Sequence, residues 1–230
     1  MMSKIINAKG RDVKKFGESG YTRVIGNSQL GQLLSRVQAT VIANGSELEK
    51  MIVERCNAIK DIDKFIDDVT QSKINQGTFL CTKRILKKTQ NYKESIKSIE
   101  PDMLIFIVSR QRICKVIELK DGETFDTKKA KAEKENLVKF SQNFGVKIPF
   151  VTDYYICCFN QSDKTKIHIG MKGVFELENI LTGRELCEIL GIDFDEMISL
   201  RNQVAKENLT YFIDELLAIH EIKAKIKARI

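Results

Sequence analysis

Two apolar runs, Met103–Val108 and residues 113–117, flank a polar turn at 109–112. That is the pattern of a buried β-hairpin. Upstream, apolar positions recur at helical spacing. Ser28 is placed to cap a helix carrying Leu30, Leu33, Leu34, Val37 and Val41, which Asn44-Gly45 ends. Ser46-Glu-Leu-Glu49 is a capping box for a second helix with Leu48, Met51, Ile52 and Ile59. Residues 61–70 read as a third, short helix, and 83–97 as a strongly basic one.

Beyond the hairpin, a helix is expected over 127–143, ending at Gly145. A strand is expected over 148–159 and a second near 166–171, where His168 reads as structural. From Thr182 the pattern is helical to the end. Ile222, Ile226 and Ile230 share one face of a terminal helix whose cations suit its C-terminal end. Residues 1–27 are polar and contain glycine, and read as an arm or loop. The expected fold is α/β in one domain over 1–230. It has a mainly helical region to residue 80, an α/β core over 81–175 with a mixed central sheet flanked by helices, and C-terminal helices over 176–230.

Acidic residues of the hairpin are confined to one end, where Lys120 joins them. With a three-residue loop at 110–112, Ser109 faces Ile113 and Asp102 faces Lys120. Strand side chains alternate, so Asp102, Glu118 and Lys120 then share one face and Leu119 turns to the other. Glu118 falls on the diagonal from Asp102, at roughly 7–8 Å between backbones, within reach of one shared ion. Mg²⁺ takes hard oxygen ligands, commonly one or two carboxylates plus water and substrate phosphate. Asp102 and Glu118 supply carboxylates, the Leu119 carbonyl a third oxygen, and Lys120 a cation where attacking water and phosphate meet. This suits metal-dependent phosphodiester hydrolysis.

Pro101-Asp102, a spacer of 15 residues, then Glu118-Leu119-Lys120 resembles the PD-(D/E)xK nuclease superfamily, in particular its type II restriction endonucleases. The resemblance covers roughly residues 86–158. It implies a restriction-endonuclease-like core, Mg²⁺ as cofactor, double-stranded DNA as substrate and a homodimer cutting a short palindrome. It also implies a cognate DNA methyltransferase as genetic partner. In related nucleases an acidic residue from a flanking helix sometimes joins the metal site, which makes Glu47, Glu49 and Glu54 candidates. Glu94 and Glu100, just before the hairpin, are candidates for a second metal. Two alternatives stay open: a structure-specific or repair nuclease with the same core, such as a junction resolvase, and a non-catalytic DNA-binding module.

Charge bears on the partner only weakly. The formal net charge is +7 and the pI about 9.0, which favours polyanions but also suits a solvated surface. Lys87 and Lys88 stack at i, i+4 with Lys83 and Arg84, and a phosphate backbone would relieve their repulsion. Lys128, Lys129 and Lys131 crowd a helix start, where the dipole disfavours cations and favours a bound phosphate. Arg110, Gln111, Arg112, Asn160, Gln161, Arg201, Asn202 and Gln203 are candidates for base readout by residue type. Arg11, Lys14, Lys15 and Arg23 are candidates for further DNA contact.

Gly17–Arg23 lacks the Gly-Lys-Ser/Thr ending of a phosphate-binding loop. The cysteines Cys56, Cys81, Cys114, Cys157, Cys158 and Cys187 show no Cys-x-x-Cys pairing and read as reduced thiols of a cytoplasmic protein. No apolar run approaches the length of a membrane span, and residues 1–15 do not resemble a signal peptide.

Overall fold

The computed structural model describes residues 3–94, 99–122 and 127–229. Two units are distinguished: residues up to Glu49 together with those from Asp195 onward, and Lys50–Phe194. The N-terminal segment, expected as an arm, is built of short helices. A 3-10 turn (Ile5–Asn7) precedes α1 (Val13–Phe16), capped by Asp12, and α2 (Gly20–Ile25), capped by Ser19. The longer α3 runs unbroken through Ser28–Val53. Its cap is Asn27, whose Oδ1 accepts the Leu30 N–H at 2.9 Å, one residue before the Ser28 expected. The anticipated stop at Asn44-Gly45 does not occur. Glycine costs a helix about 1 kcal/mol, and burial of Leu48 one turn later offsets it. The Ser46–Glu49 box therefore never opens a second helix. Ile59 lies beyond α3, beside an extended Ala58 that bridges Leu80.

In the unit spanning Lys50–Phe194, Asp61 caps α4 (Ile62–Thr70) by accepting the Lys64 N–H at 3.0 Å. The sheet has five strands in sequence order: β1 (Gly77–Thr82), β2 (Met103–Val108), β3 (Ile113–Lys120), β4 (Val151–Cys158) and β5 (Ile180–Thr182). The first three are antiparallel, while β3, β4 and β5 are parallel, so the sheet is mixed. β1 and β5 were not anticipated. α5 is confined to Lys83–Leu86, a single turn where a helix over 83–97 was expected. Asp63 of α4 accepts the Gln90 N–H at 2.6 Å and the Thr89 hydroxyl, which pins the segment after α5 in a turn.

Between β3 and β4 runs α6 (Thr127–Gly145). Its Leu137, Phe140 and Phe144 join Cys114, Val116, Ile156 and Cys158 from one face of the sheet in the core. Phe65 of α4 reaches the same core, its ring 5.2 Å from that of Phe106. Where a strand was expected over 166–171 there is α7 (Lys164–Gly170). Asp163 decides this, its Oδ1 accepting the Thr165 N–H at 2.8 Å and the Lys166 N–H at 3.4 Å. His168 Nδ1 meets the Phe175 carbonyl at 2.7 Å, a structural contact.

Thr182 ends β5 and opens α8 (Gly183–Leu190) with a full capping box to Glu185. Gly183 is required there, because a Cβ would lie 2.2 Å from the Phe159 carbonyl oxygen. Thr182→Ala is expected to destabilise the protein by about 1 kcal/mol. Its urea midpoint should fall at unchanged cooperativity, and an unmoved midpoint would show the cap to be dispensable.

The chain ends in α9 (Phe194–Ala218) and α10 (His220–Lys227), helices as expected. Arg36 meets α9 within the unit they share, 3.1 Å from Glu215 and stacked 5.1 Å over the Tyr211 ring.

Candidate active site

The hairpin register differs from the one the sequence suggests. Ile107 faces Ile113 and Met103 faces Ile117, so five residues lie between the last facing pair. Continued by one position, the same register sets Asp102 across from Glu118 and not from Lys120. The shift is two residues, and an even shift leaves every side chain on its expected face. Asp102, Glu118 and Lys120 therefore still share a side.

Asp102 is held from two directions. Its carbonyl accepts the Lys83 N–H at 3.0 Å, and its Oδ2 accepts the Leu119 N–H at 3.0 Å. The second bond satisfies a β3 donor lying past the start of β2, and fixes the carboxylate next to Glu118. Lys120 is anchored through its carbonyl, which accepts the Phe159 N–H at 2.8 Å, and its Nζ lies 2.5 Å from Glu118 Oε1. Asn160 Nδ2 then binds both the carbonyl and the carboxylate of Asp121, at 3.0 and 2.9 Å. Asn160, a candidate base reader, thus clamps the exit of β3.

Glu118 and Glu133 line a cleft of about 350 Å³ together with Lys83, Ile99, Glu100, Pro101, Asn136 and Leu137. Glu118 is only 6% exposed. Burial, the Asp102 charge and, more weakly, Glu133 push its carboxyl up to about 8 against the pull of Lys120. Lys120 is opposed by burial too, yet Glu118, Asp102 and Glu133 together raise its pKa. Burial is the largest influence on each group, and beside it an excess of carboxylate charge around Lys120 raises both. A dication answers that excess, and the donors are the hard oxygens Mg²⁺ prefers. The described residues hold no cage of three or more Asp, Glu, His or Cys side chains for a metal. Asp102, Glu118 and the Leu119 carbonyl would supply three oxygens and leave the remaining positions of a Mg²⁺ ion to water and phosphate.

No family model matches the chain, and no solved structure matches it. It is 60% identical over 227 residues to the type II restriction enzyme HhaII of Haemophilus parahaemolyticus, covering 98% of this chain and 99% of that protein. The chain belongs to the type II restriction enzymes.

In this restriction endonuclease, the residues singled out from sequence separate into two groups. Asp102, Glu118, Leu119 and Lys120 come together, and Glu100 lines the same cleft. Arg110 and Arg112 do not join them. They sit at the hairpin tip, six or more residues along β3 from Glu118 and roughly 20 Å away at 3.3 Å per residue. Lys128, Lys129 and Lys131 are exposed on the first turns of α6, and Lys88 is exposed beyond α5. Lys87 is paired with Glu100 at 2.8 Å, so a carboxylate relieves the lysine repulsion for which a phosphate was expected. Glu47 accepts the Ser3 N–H, and Glu54 lies 3.9 Å from Lys50. The residues 123–126 of the loop after Lys120 lie outside the described residues.

Glu133 was missed. Its signal is present in α6, where Ala130, Leu137, Phe140 and Phe144 form a buried stripe at spacings of three and four. Glu133 occupies the stripe's remaining place, a carboxylate where the pattern calls for an apolar side chain.

Proposed function

We propose that this restriction enzyme hydrolyses double-stranded DNA within a short palindrome, using Mg²⁺ and a PD-(D/E)xK site on a restriction-endonuclease-like core. The observation that carries the mechanism is the convergence of Asp102, Glu118 and Lys120 at one end of the hairpin. Asp102, Glu118 and the Leu119 carbonyl would hold the ion. When bound, it acidifies a coordinated water and offsets charge on the scissile phosphate.

The chain's own groups do the rest. Asp102, oriented by the Leu119 N–H, sets the position of the phosphate's approach. Glu118 holds the Lys120 ammonium, which donates toward the water attacking phosphorus and the phosphoryl oxygens gaining charge. As the water's oxygen bonds to phosphorus it gives up a proton to solvent, the bond to one ester oxygen breaks, and that oxygen takes up a proton from solvent as it leaves.

One copy cuts one strand, so a homodimer with twofold symmetry matches a palindrome. A cognate methyltransferase protects host DNA in the cytoplasm. Lys88, Lys128, Lys129 and Lys131 contribute phosphate contacts, and Arg110 and Arg112 contact DNA away from the cut. No helix among the described residues is long and apolar enough to cross a membrane.

The test is digestion of phage DNA with Mg²⁺ by the wild type and by Lys120→Ala, beside an EDTA control. A reproducible ladder is expected from the wild type and none with EDTA. Lys120→Ala should cut roughly 10²–10³-fold more slowly. An unchanged ladder from Lys120→Ala would remove this site from the mechanism.

A further inference from the structure

Two lysines converge on one carboxylate oxygen at the mouth of the cleft. Glu100 Oε2 lies 2.8 Å from Lys87 Nζ and 3.8 Å from Lys83 Nζ. Lys83 and Glu100 both line the cleft that holds Glu118 and Glu133. The arrangement is tied to the catalytic carboxylate, since the Lys83 N–H holds the Asp102 carbonyl and Glu100 lies two residues before Asp102. All three side chains are partly open to solvent, at 41%, 52% and 32% for Lys83, Lys87 and Glu100.

Ammonium groups at i, i+4 repel unless an anion lies between them. A single carboxylate oxygen serves one of them well and the other poorly. A phosphodiester, not tethered to the chain as Glu100 is, can turn one unbridged oxygen to each ammonium. Pairs this exposed are also weak, so a stronger anion displaces the carboxylate at little cost. We propose that Lys83 and Lys87 form the seat for a backbone phosphate of the DNA strand entering the cleft, and that Glu100 occupies it in the free protein. This rests on the reading that the cleft takes DNA. Binding of the strand expels Glu100 from the seat, so the free enzyme carries a built-in competitor for its own substrate.

The experiment measures binding of a fluorescent, short, mixed-sequence DNA duplex in EDTA, at several salt concentrations. It compares the wild type, Glu100→Gln, Lys83→Ala/Lys87→Ala and the triple variant, each checked for unchanged urea unfolding. Glu100→Gln is expected to bind roughly three- to tenfold more tightly, from loss of the competitor. The lysine pair variant should bind more weakly, with a salt slope smaller by about 1–2.

The triple variant decides between a seat and a general charge effect. The gain from Glu100→Gln must vanish once both lysines are gone. If that gain persists, or if Glu100→Gln binds no more tightly than the wild type, the seat is refuted and DNA binding stands. A Glu100→Gln protein that loses Mg²⁺-dependent cleavage at unchanged metal-free affinity would place Glu100 on the ion and also refute the seat. Absence of duplex binding by the wild type would overturn the DNA reading together with the seat.

Discussion

Asp102→Asn is expected to cut DNA on the order of a thousandfold more slowly than the wild type, equivalent to about 4 kcal/mol of barrier. Asparagine keeps an oxygen to accept the Leu119 N–H, now 3.0 Å from Asp102 Oδ2, so the hairpin end should hold its shape. What is lost is charge. The Asp102 carboxylate is the second-largest reason, after burial, that Glu118 holds its proton. The Glu118 pKa should therefore fall in the variant even as Mg²⁺ affinity falls. Single-turnover cleavage, Mg²⁺ calorimetry and duplex binding in EDTA separate these effects. Cleavage within tenfold of wild type, with Mg²⁺ still bound, would exclude Asp102 as a ligand of the ion.

The second large effect is of pH, through Glu118. Its carboxyl has an ordinary value of 4.5 and is raised to about 8 in the fold. Below 4.5 the folded and unfolded chains both carry this proton, and the group contributes nothing. Between 4.5 and about 8 the unfolded chain releases it while the fold keeps it, so metal-free stability falls as pH rises. Above about 8 the loss is complete.

Glu118→Gln removes that slope. Its melting temperature relative to wild type should rise from acid to alkaline pH, by the equivalent of a few kcal/mol at most. Unpairing Lys120 subtracts from the gain. Mg²⁺ has the opposite dependence in the wild type because it must displace the proton, so its affinity should drop up to about tenfold per pH unit below about 8. Glu118→Gln should show little of that binding. Parallel stability profiles for the two metal-free proteins would mean that Glu118 is already ionised at neutral pH.

The shared face of Asp102, Glu118 and Lys120 was legible in the sequence because face depends on parity alone. The expected three-residue loop and the observed register differ by two, so Asp102, Glu118 and Lys120 kept their side although every facing pair was wrong. β5 was hidden by length: three residues, Ile180–Thr182, are too few to show alternation. β1 carries Phe79, Leu80 and Cys81 in succession, a run that periodicity cannot assign to strand or helix.

Capping chemistry decided another difference. Residues 166–171 alternate like a strand, but Asp163 opens a helix before that pattern can act. In α3, tertiary burial outweighed the Asn44-Gly45 stop. The α6 stripe marks Glu133 as a carboxylate in an apolar row, but what it faces, Glu118 across the cleft, is not in the local pattern. The convergence of Lys83 and Lys87 on Glu100 likewise joins groups from separate segments.

The tie from Leu119 to Asp102 lies at one end of the hairpin and the polar turn at the other. Residues inserted at 109–111 leave the pairing from Ile107 and Ile113 onward untouched, and with it the bond from the Val151 N–H to the Arg112 carbonyl. One residue added within β2 or β3 would turn a carboxylate or the ammonium to the wrong side of the sheet. A change of length at the tip therefore leaves Asp102, Glu118 and Lys120 on their shared face, whereas the same change within a strand does not. A reporter peptide grafted there should leave the Asp102–Leu119 end of the hairpin intact.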